Sequence, residues 1–180
     1  MQVKTTSLPG VLVIEPRVHG DERGFFLESY NRRAFAAAGI DAEFVQDNHS
    51  KSSRCVLRGL HYQIGQPQGK LVRVLAGRIH DVAVDLRRSS AAFGKWHGVE
   101  LDAASHRQLW IPPGFAHGFL VLSEVAEVFY KTTDFYAPDN ERAIRWNDPD
   151  LAIAWPLQGN PIVSPKDASA LLLADAETFP

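Results

Sequence analysis

The clearest strand signal in the chain is KLVRVLAGRIHDVAVDLR, residues 70–87. Apolar and polar residues alternate along it, as they do on a pleated strand. Two such segments meet at Ala76-Gly77, where glycine allows the positive φ of a tight turn, so the stretch predicts a β-hairpin. On its second arm Val82, Val84 and Leu86 share one face, and Asp81, Ala83 and Asp85 share the other. Outward from it the same texture continues in VLVIEP, GFFLESY, EFVQDNHS and VLRGLHYQ before it, and in WHGVELD, RQLWIPPG, AHGFLVLS and AEVFYKTTDFYAP after it. Strands recurring at about 8–12 residues with turn signals between them predict an antiparallel sandwich or barrel. Two short helices interrupt the pattern. NRRAFAAAG has Asn31 as cap and Gly39 as stop, and SPKDASALLLADA has Ser164 as cap and Pro165 in the first helical position.

Composition narrows the function. The 180 residues show no repeat, low-complexity tract or linker, and residues 1–180 are expected to form one domain. A formal net charge of -2 gives no general attraction to nucleic acid or an anionic membrane, so an anion site has to be a local cluster of Arg and Lys. Cys55 is the only cysteine, which excludes an intrachain disulfide, and its apolar setting in RCVL predicts a buried, inert thiol. The N-terminal MQVKTTSLPG has no signal-peptide core and no apolar run is long enough to span a membrane; the expectation is a cytoplasmic protein.

Two histidines carry the chemical signal. His61 lies in a strand-like segment close to Arg58, Lys70 and Arg73. Pro112, Gly114 and His117 in PPGFAH give P-x-G-x-x-H, which resembles the second half of the cupin signature, a jelly-roll family that often holds a metal. The first half would supply H-x-H and then Glu. Here it reads His61-Tyr62-Gln63, with Lys70 near the place of the acid. An ammonium beside two imidazoles repels a cation, so no metal ligands are assigned. Proton transfer suits these residue types better. Histidine accepts a proton near neutral pH, a lysine cation stabilises an enolate on a neighbouring carbonyl, and Tyr130 in VFYKTTDFY has a proton to return.

The segments GDERGFFLESYN, FVQDNHSKS, VLRGLHYQ, QGKLVRV, FGKWHGVEL, RQLWIPPGFAHGF, YKTTDFYAP, IRWNDP and SPKDA together resemble the dTDP-4-dehydrorhamnose 3,5-epimerase family, in family order, from about Gly20 to Ala168. The resemblance implies an all-β, cupin-type jelly-roll barrel with short flanking helices, a homodimer, and metal- and cofactor-independent chemistry. The implied substrate is dTDP-4-dehydro-6-deoxy-D-glucose, epimerised at C3 and C5 in dTDP-L-rhamnose synthesis. By the same resemblance His61 is the general base, Asp167 the carboxylate that orients it, Tyr130 the general acid, and Lys70 the group beside the C4 oxygen. Arg23, Glu28, Gln46, Asn48, Arg58, His117, Glu141 and Lys166 match substrate contacts, and Tyr136 could stack on a flat or sugar face. Arg23, Arg58 and Lys166 have the charge to meet a diphosphate. Three other readings share parts of the pattern: a metal-dependent cupin isomerase or dioxygenase, a non-catalytic nucleotide-sugar binding module, and a relative that epimerises one carbon only.

Overall fold

A computed structural model describes all of residues 1–180. Numbered along the chain, its strands form two facing antiparallel sheets and one separate hairpin. The six-stranded sheet runs β1 (Gln2–Thr5), β2 (Leu12–Glu15), β10 (Gln108–Ile111), β7 (Lys70–Ala76), β12 (Val125–Thr132), β5 (Gln46–Ser53). The five-stranded sheet runs β13 (Glu141–Ala143), β6 (Leu57–Gln63), β11 (Phe115–Val121), β8 (Arg78–Asp85), β9 (Trp96–Asp102). The hairpin pairs β3 (Val18–Asp21) with β4 (Gly24–Leu27). This is the expected all-β jelly roll.

Three apolar clusters hold it together. Between the sheets, Val72, Val74, Leu109 and Val128 from one face meet Ile79, Ala83, Leu101, Phe115, Phe119 and Val121 from the other. The back of the five-stranded sheet presents Leu57, Leu60, Val82, Val84, Ala116 and Leu120, which the C-terminal segment covers with Leu151, Trp155 and Ala176. The back of the six-stranded sheet presents Ile14, Leu71 and Trp110 to Phe35 and Ile40, from helix α1 (Arg32–Ala37) and the turn after it. Asn31 caps α1 by accepting from the Arg33 and Ala34 N–H groups, and Gly39 leaves it at φ +89°.

The 70–87 stretch departs from its hairpin reading. Both arms are strands, but β7 pairs with β10 and β12 while β8 pairs with β9 and β11, so the chain crosses between sheets at Gly77. Gly77 does take a positive φ of 76°. A type I′ hairpin needs positive φ at two successive residues, which Ala76 resists. The face of β8 that carries Asp81, Ala83 and Asp85 is the one turned inward, and both aspartates are fully buried. The second helix is also shorter than expected. Its only α-helix is α2 (Pro165–Ala168), with Ser164 accepting from the Asp167 N–H, before the chain extends so that Leu171 bridges Ile144 beside the five-stranded sheet and a single 3-10 turn follows at Leu173–Asp175. Cys55 is half-buried at φ 64° and not in the core.

Candidate active site

One irregularity in β6 builds the site. Opposite β11, His61 aligns with His117 and Arg58 with Phe119, so β6 uses three steps where β11 uses two. In a regular strand residues three apart point to opposite faces; the extra residue of a bulge lets Arg58 and His61 both face the cleft between the sheets. Gly59 makes this possible. Its φ is +120°, and a Cβ there would lie 2.5 Å from the Gly118 Cα. Its N–H donates to Asp167 Oδ2 at 3.2 Å, so the group the bulge frees is taken up by the carboxylate.

That same carboxylate holds His61, with Nε2 2.6 Å from Asp167 Oδ1. An ionised carboxylate only accepts, so the imidazole proton sits on Nε2 and the Nδ1 lone pair is free. Asp167 is nearly sealed, while a third of the His61 side chain is open to the cleft. Burial pushes the Asp167 carboxyl up, but the bonds from His61 and the Gly59 N–H outweigh it and hold the group below its ordinary value.

The facing wall comes from the other sheet. Lys70 on β7 and Tyr130 on β12 line the same cleft as His61 and His117. Lys70 is buried, and its Nζ donates to the His61 carbonyl at 3.2 Å. Burial pulls the ammonium down to about 8, against the attraction of Asp81 and Glu141. Burial also pushes the Tyr130 phenol up, so it carries its proton at neutral pH. Arg58 is steadied by donating from Nε to Ser52 Oγ at 3.0 Å.

A loop closes one side. Gln63 donates to the Phe135 carbonyl and accepts from the Ala137 N–H, and Gln68 donates to the Asp134 carbonyl. These bonds fix Tyr136 at the rim. Its N–H donates to Gln46 Oε1, and its hydroxyl donates to Glu141 Oε2 at 2.8 Å. Gln46 in turn donates to Asn48 Oδ1, and Asn48 is the cross-strand partner of Tyr130. Lys166 pairs with Glu141 in an adjoining groove that also includes Arg58, His61 and Asp167. Burial pushes the Glu141 carboxyl up, and Lys166 and Tyr136 more than reverse this.

The structure therefore brings together His61, Asp167, Lys70, Tyr130, Arg58, His117, Tyr136, Glu141 and Lys166, with Gln46 and Asn48 beside Tyr136 and Tyr130. Two expected contacts lie elsewhere. Arg23 is on the exposed β3–β4 hairpin, paired with Asp21, and Glu28 is exposed just after it. One interior group was not anticipated: Asp81, fully buried, faces His117 Nε2 with both carboxylate oxygens at 2.9 Å. Its signal was the polar inner face of β8. The cupin-type metal does not fit these residues. Both histidines turn Nε2 to an aspartate, Lys70 stands beside them, and no three His, Cys, Asp or Glu side chains group as ligands.

A jelly-roll cleft with a His–Asp pair on one wall, and a protonated tyrosine and a buried lysine on the other, is equipped for acid–base chemistry at a carbon next to a carbonyl. The comparisons agree. A family model described as dTDP-4-dehydrorhamnose 3,5-epimerase matches residues 5–175. The chain is 61% identical over 181 residues to the dTDP-4-dehydrorhamnose 3,5-epimerase of Pseudomonas aeruginosa, with 100% of each covered. A crystal structure of the dTDP-6-deoxy-D-glucose-3,5-epimerase of Legionella pneumophila, in complex with dTDP-4-keto-L-rhamnose, matches with a TM-score of 0.95 at 52% identity, over 98% of this chain and 94% of that one. The dTDP-4-dehydrorhamnose 3-epimerase of Streptomyces niveus is 40% identical over 178 residues, 98% of this chain and 86% of the relative. The chain belongs to the dTDP-4-dehydrorhamnose 3,5-epimerase family.

Proposed function

We propose that the protein converts dTDP-4-dehydro-6-deoxy-D-glucose to dTDP-4-dehydro-L-rhamnose by inverting C3 and C5. The observation that carries this reading is the placement of base and acid on facing sheets, His61 on β6 and Tyr130 on β12, across one cleft. His61 Nδ1 takes the proton from C3 or C5. The C–H electrons form the enolate, and negative charge develops on the C4 oxygen beside Lys70. Tyr130 then delivers its proton to the opposite face of the same carbon. The resulting imidazolium and phenolate return to their starting states by exchange with solvent, and the cycle repeats at the other carbon. Asp167 keeps the His61 proton on Nε2 and offsets the positive charge of the imidazolium. No electron leaves the sugar, so no redox cofactor enters, and the ammonium of Lys70 takes the place that a Lewis-acid metal would fill.

The nucleotide extends toward Tyr136, Glu141 and Lys166, with Arg58 and Lys166 meeting the diphosphate. Arg23 and Glu28 fit this reading if the protein is a homodimer, because the hairpin beside them exposes Phe25 and Phe26 and stands apart from the cleft of its own chain. They would then complete the cleft of a second copy. Both sheets feed one cleft, which supports residues 1–180 as one catalytic domain, and the enzyme would work in the cytoplasm on its nucleotide-sugar substrate. The direct test is NMR of the product formed from dTDP-4-dehydro-6-deoxy-D-glucose. Inversion at both carbons is expected; a product inverted at C3 alone would instead favour a monoepimerase.

A further inference from the structure

We infer that Asp81 is a positioning residue for the reaction: it holds His117 so that only Nδ1 faces the substrate, placing a second His–Asp pair beside the C4 oxygen. The inference rests on the functional reading above, since it needs an enolate in the cleft.

The two pairs are built in parallel. His61 and His117 are direct cross-strand partners on β6 and β11, and both turn inward. Each gives Nε2 to an aspartate from a different part of the chain, Asp167 after the barrel and Asp81 on β8. They differ in exposure. The His61 side chain is 33% exposed and that of His117 only 7%, with Asp81 at 0%. His61 is thus free to meet a C–H bond, while His117 is held within the wall. Strand register accounts for the second pair. Phe119 on β11 lies opposite Asp81 and His117 opposite Ala83, so the two residues are diagonal neighbours on one inward face.

Hydrogen-bond capacity then decides the ring's state. Asp81 is acceptor-only when ionised, and its hydrogen bonds both come from His117 Nε2, so Nε2 carries the proton. The only buried side-chain polar atoms without a partner are His80 Nε2 and Thr178 Oγ1. His117 Nδ1 has no partner in the chain and is not one of these, so it opens to the cleft that His117 lines. Asp81 also attracts the Lys70 ammonium. One buried carboxylate therefore acts on both groups that border the site of enolate charge. A buried charge without a role would cost stability for no gain, whereas a fixed dipole aimed at developing charge needs such an anchor.

The test uses the full-length protein with 15N-labelled histidine, read by NMR, together with turnover of dTDP-4-dehydro-6-deoxy-D-glucose. In the wild type the His117 resonances should show a proton on Nε2. In Asp81→Asn the amide can donate to Nε2, and the proton should move wholly or partly to Nδ1. Turnover should fall by about 10²-fold, the scale of losing one aimed group, with KM within about threefold because the ground-state contacts remain. In a His117→Gln background Asp81→Asn should cost less than tenfold, since the residue it positions is gone. A wild-type His117 protonated on Nδ1 alone would overturn the inference, and that reading needs no variant to fold. So would a folded Asp81→Asn enzyme with unchanged turnover, or an undiminished loss in the His117→Gln background, which would place the effect of Asp81 elsewhere. If the wild type fails to turn this substrate over, the functional reading fails, and the ring spectra still decide which state Asp81 imposes.

Discussion

Replacing Lys70 by methionine should raise stability and remove activity, and the gain should disappear with pH. The ammonium is buried and held at about 8 instead of its usual 10.5. That difference of about 2.5, at about 1.4 kcal/mol per pKa unit, corresponds to about 3 kcal/mol between the two protonation states. Below about pH 8 the folded and unfolded chains both carry the charge, and the fold bears the full cost. Between about 8 and 10.5 the folded chain loses its proton first, so the unfolded state binds more protons and stability rises with pH. Above that range both are neutral. Lys70→Met never has the charge, so its advantage over wild type should shrink by about 3 kcal/mol from pH 7 to pH 10.5, most of it by pH 10. Urea unfolding of both proteins across this range measures it, and the difference cancels titrations they share. Turnover of Lys70→Met should fall about 10²–10³-fold, and wild-type turnover should decline as pH rises through about 8. A stability difference that stays constant from pH 7 to 10.5 would mean that Lys70 is not buried as a charge whose loss stabilises the fold.

Three further outcomes are expected. His61→Asn should lower turnover by about 10²–10⁴-fold, while Asp167→Asn should cost less because it leaves the base in place; the reverse order in steady-state kinetics would reject that division of roles. Gly59→Ala should destabilise the fold by at least about 2 kcal/mol, since φ is +120° and the new methyl meets Gly118 backbone; a denaturant midpoint equal to wild type would show that the bulge does not need glycine. Exhaustive chelation should leave activity intact, and loss with EDTA restored by one divalent metal would end the metal-free mechanism.

Much of the barrel is visible in the sequence because each strand is a local pattern of period two. The cap of α1 is equally local, Asn31 before a run of alanines. What fails is pairing. Ala76-Gly77 looks like a hairpin turn, yet β7 pairs with β10 and β12, which arrive much later in the chain, and β8 pairs with β9, the next strand, and with β11. The His61–Asp167 contact spans 106 residues, and resemblance to the family, not local pattern, pointed to it. Asp81 shares a face with Ala83 and Asp85, and alternation gives two faces without saying which is inside. Here the C-terminal segment covers the apolar face and the aspartates turn inward. The bulge at Gly59 breaks alternation where the site needs it broken, with Arg58 and His61 brought to one face. Arg23 carries charge suited to a diphosphate and Glu28 was implied by the family resemblance, but a single chain places both away from the cleft.

A base on one sheet and an acid on the other should act on opposite faces of the sugar. Tyr130→Phe tests it most directly, since phenylalanine keeps the ring's packing and removes only the phenolic proton. With substrate in D₂O, NMR of recovered substrate and product reads exchange and inversion separately. The folded variant should still form the enolate, and His61 should return a solvent deuteron to the face from which it took the proton. Inversion at C3 and C5 should therefore fall by much more than deuterium exchange into unreacted substrate. Exchange and inversion falling by the same factor, or inversion continuing undiminished, would rule out separate roles for His61 and Tyr130.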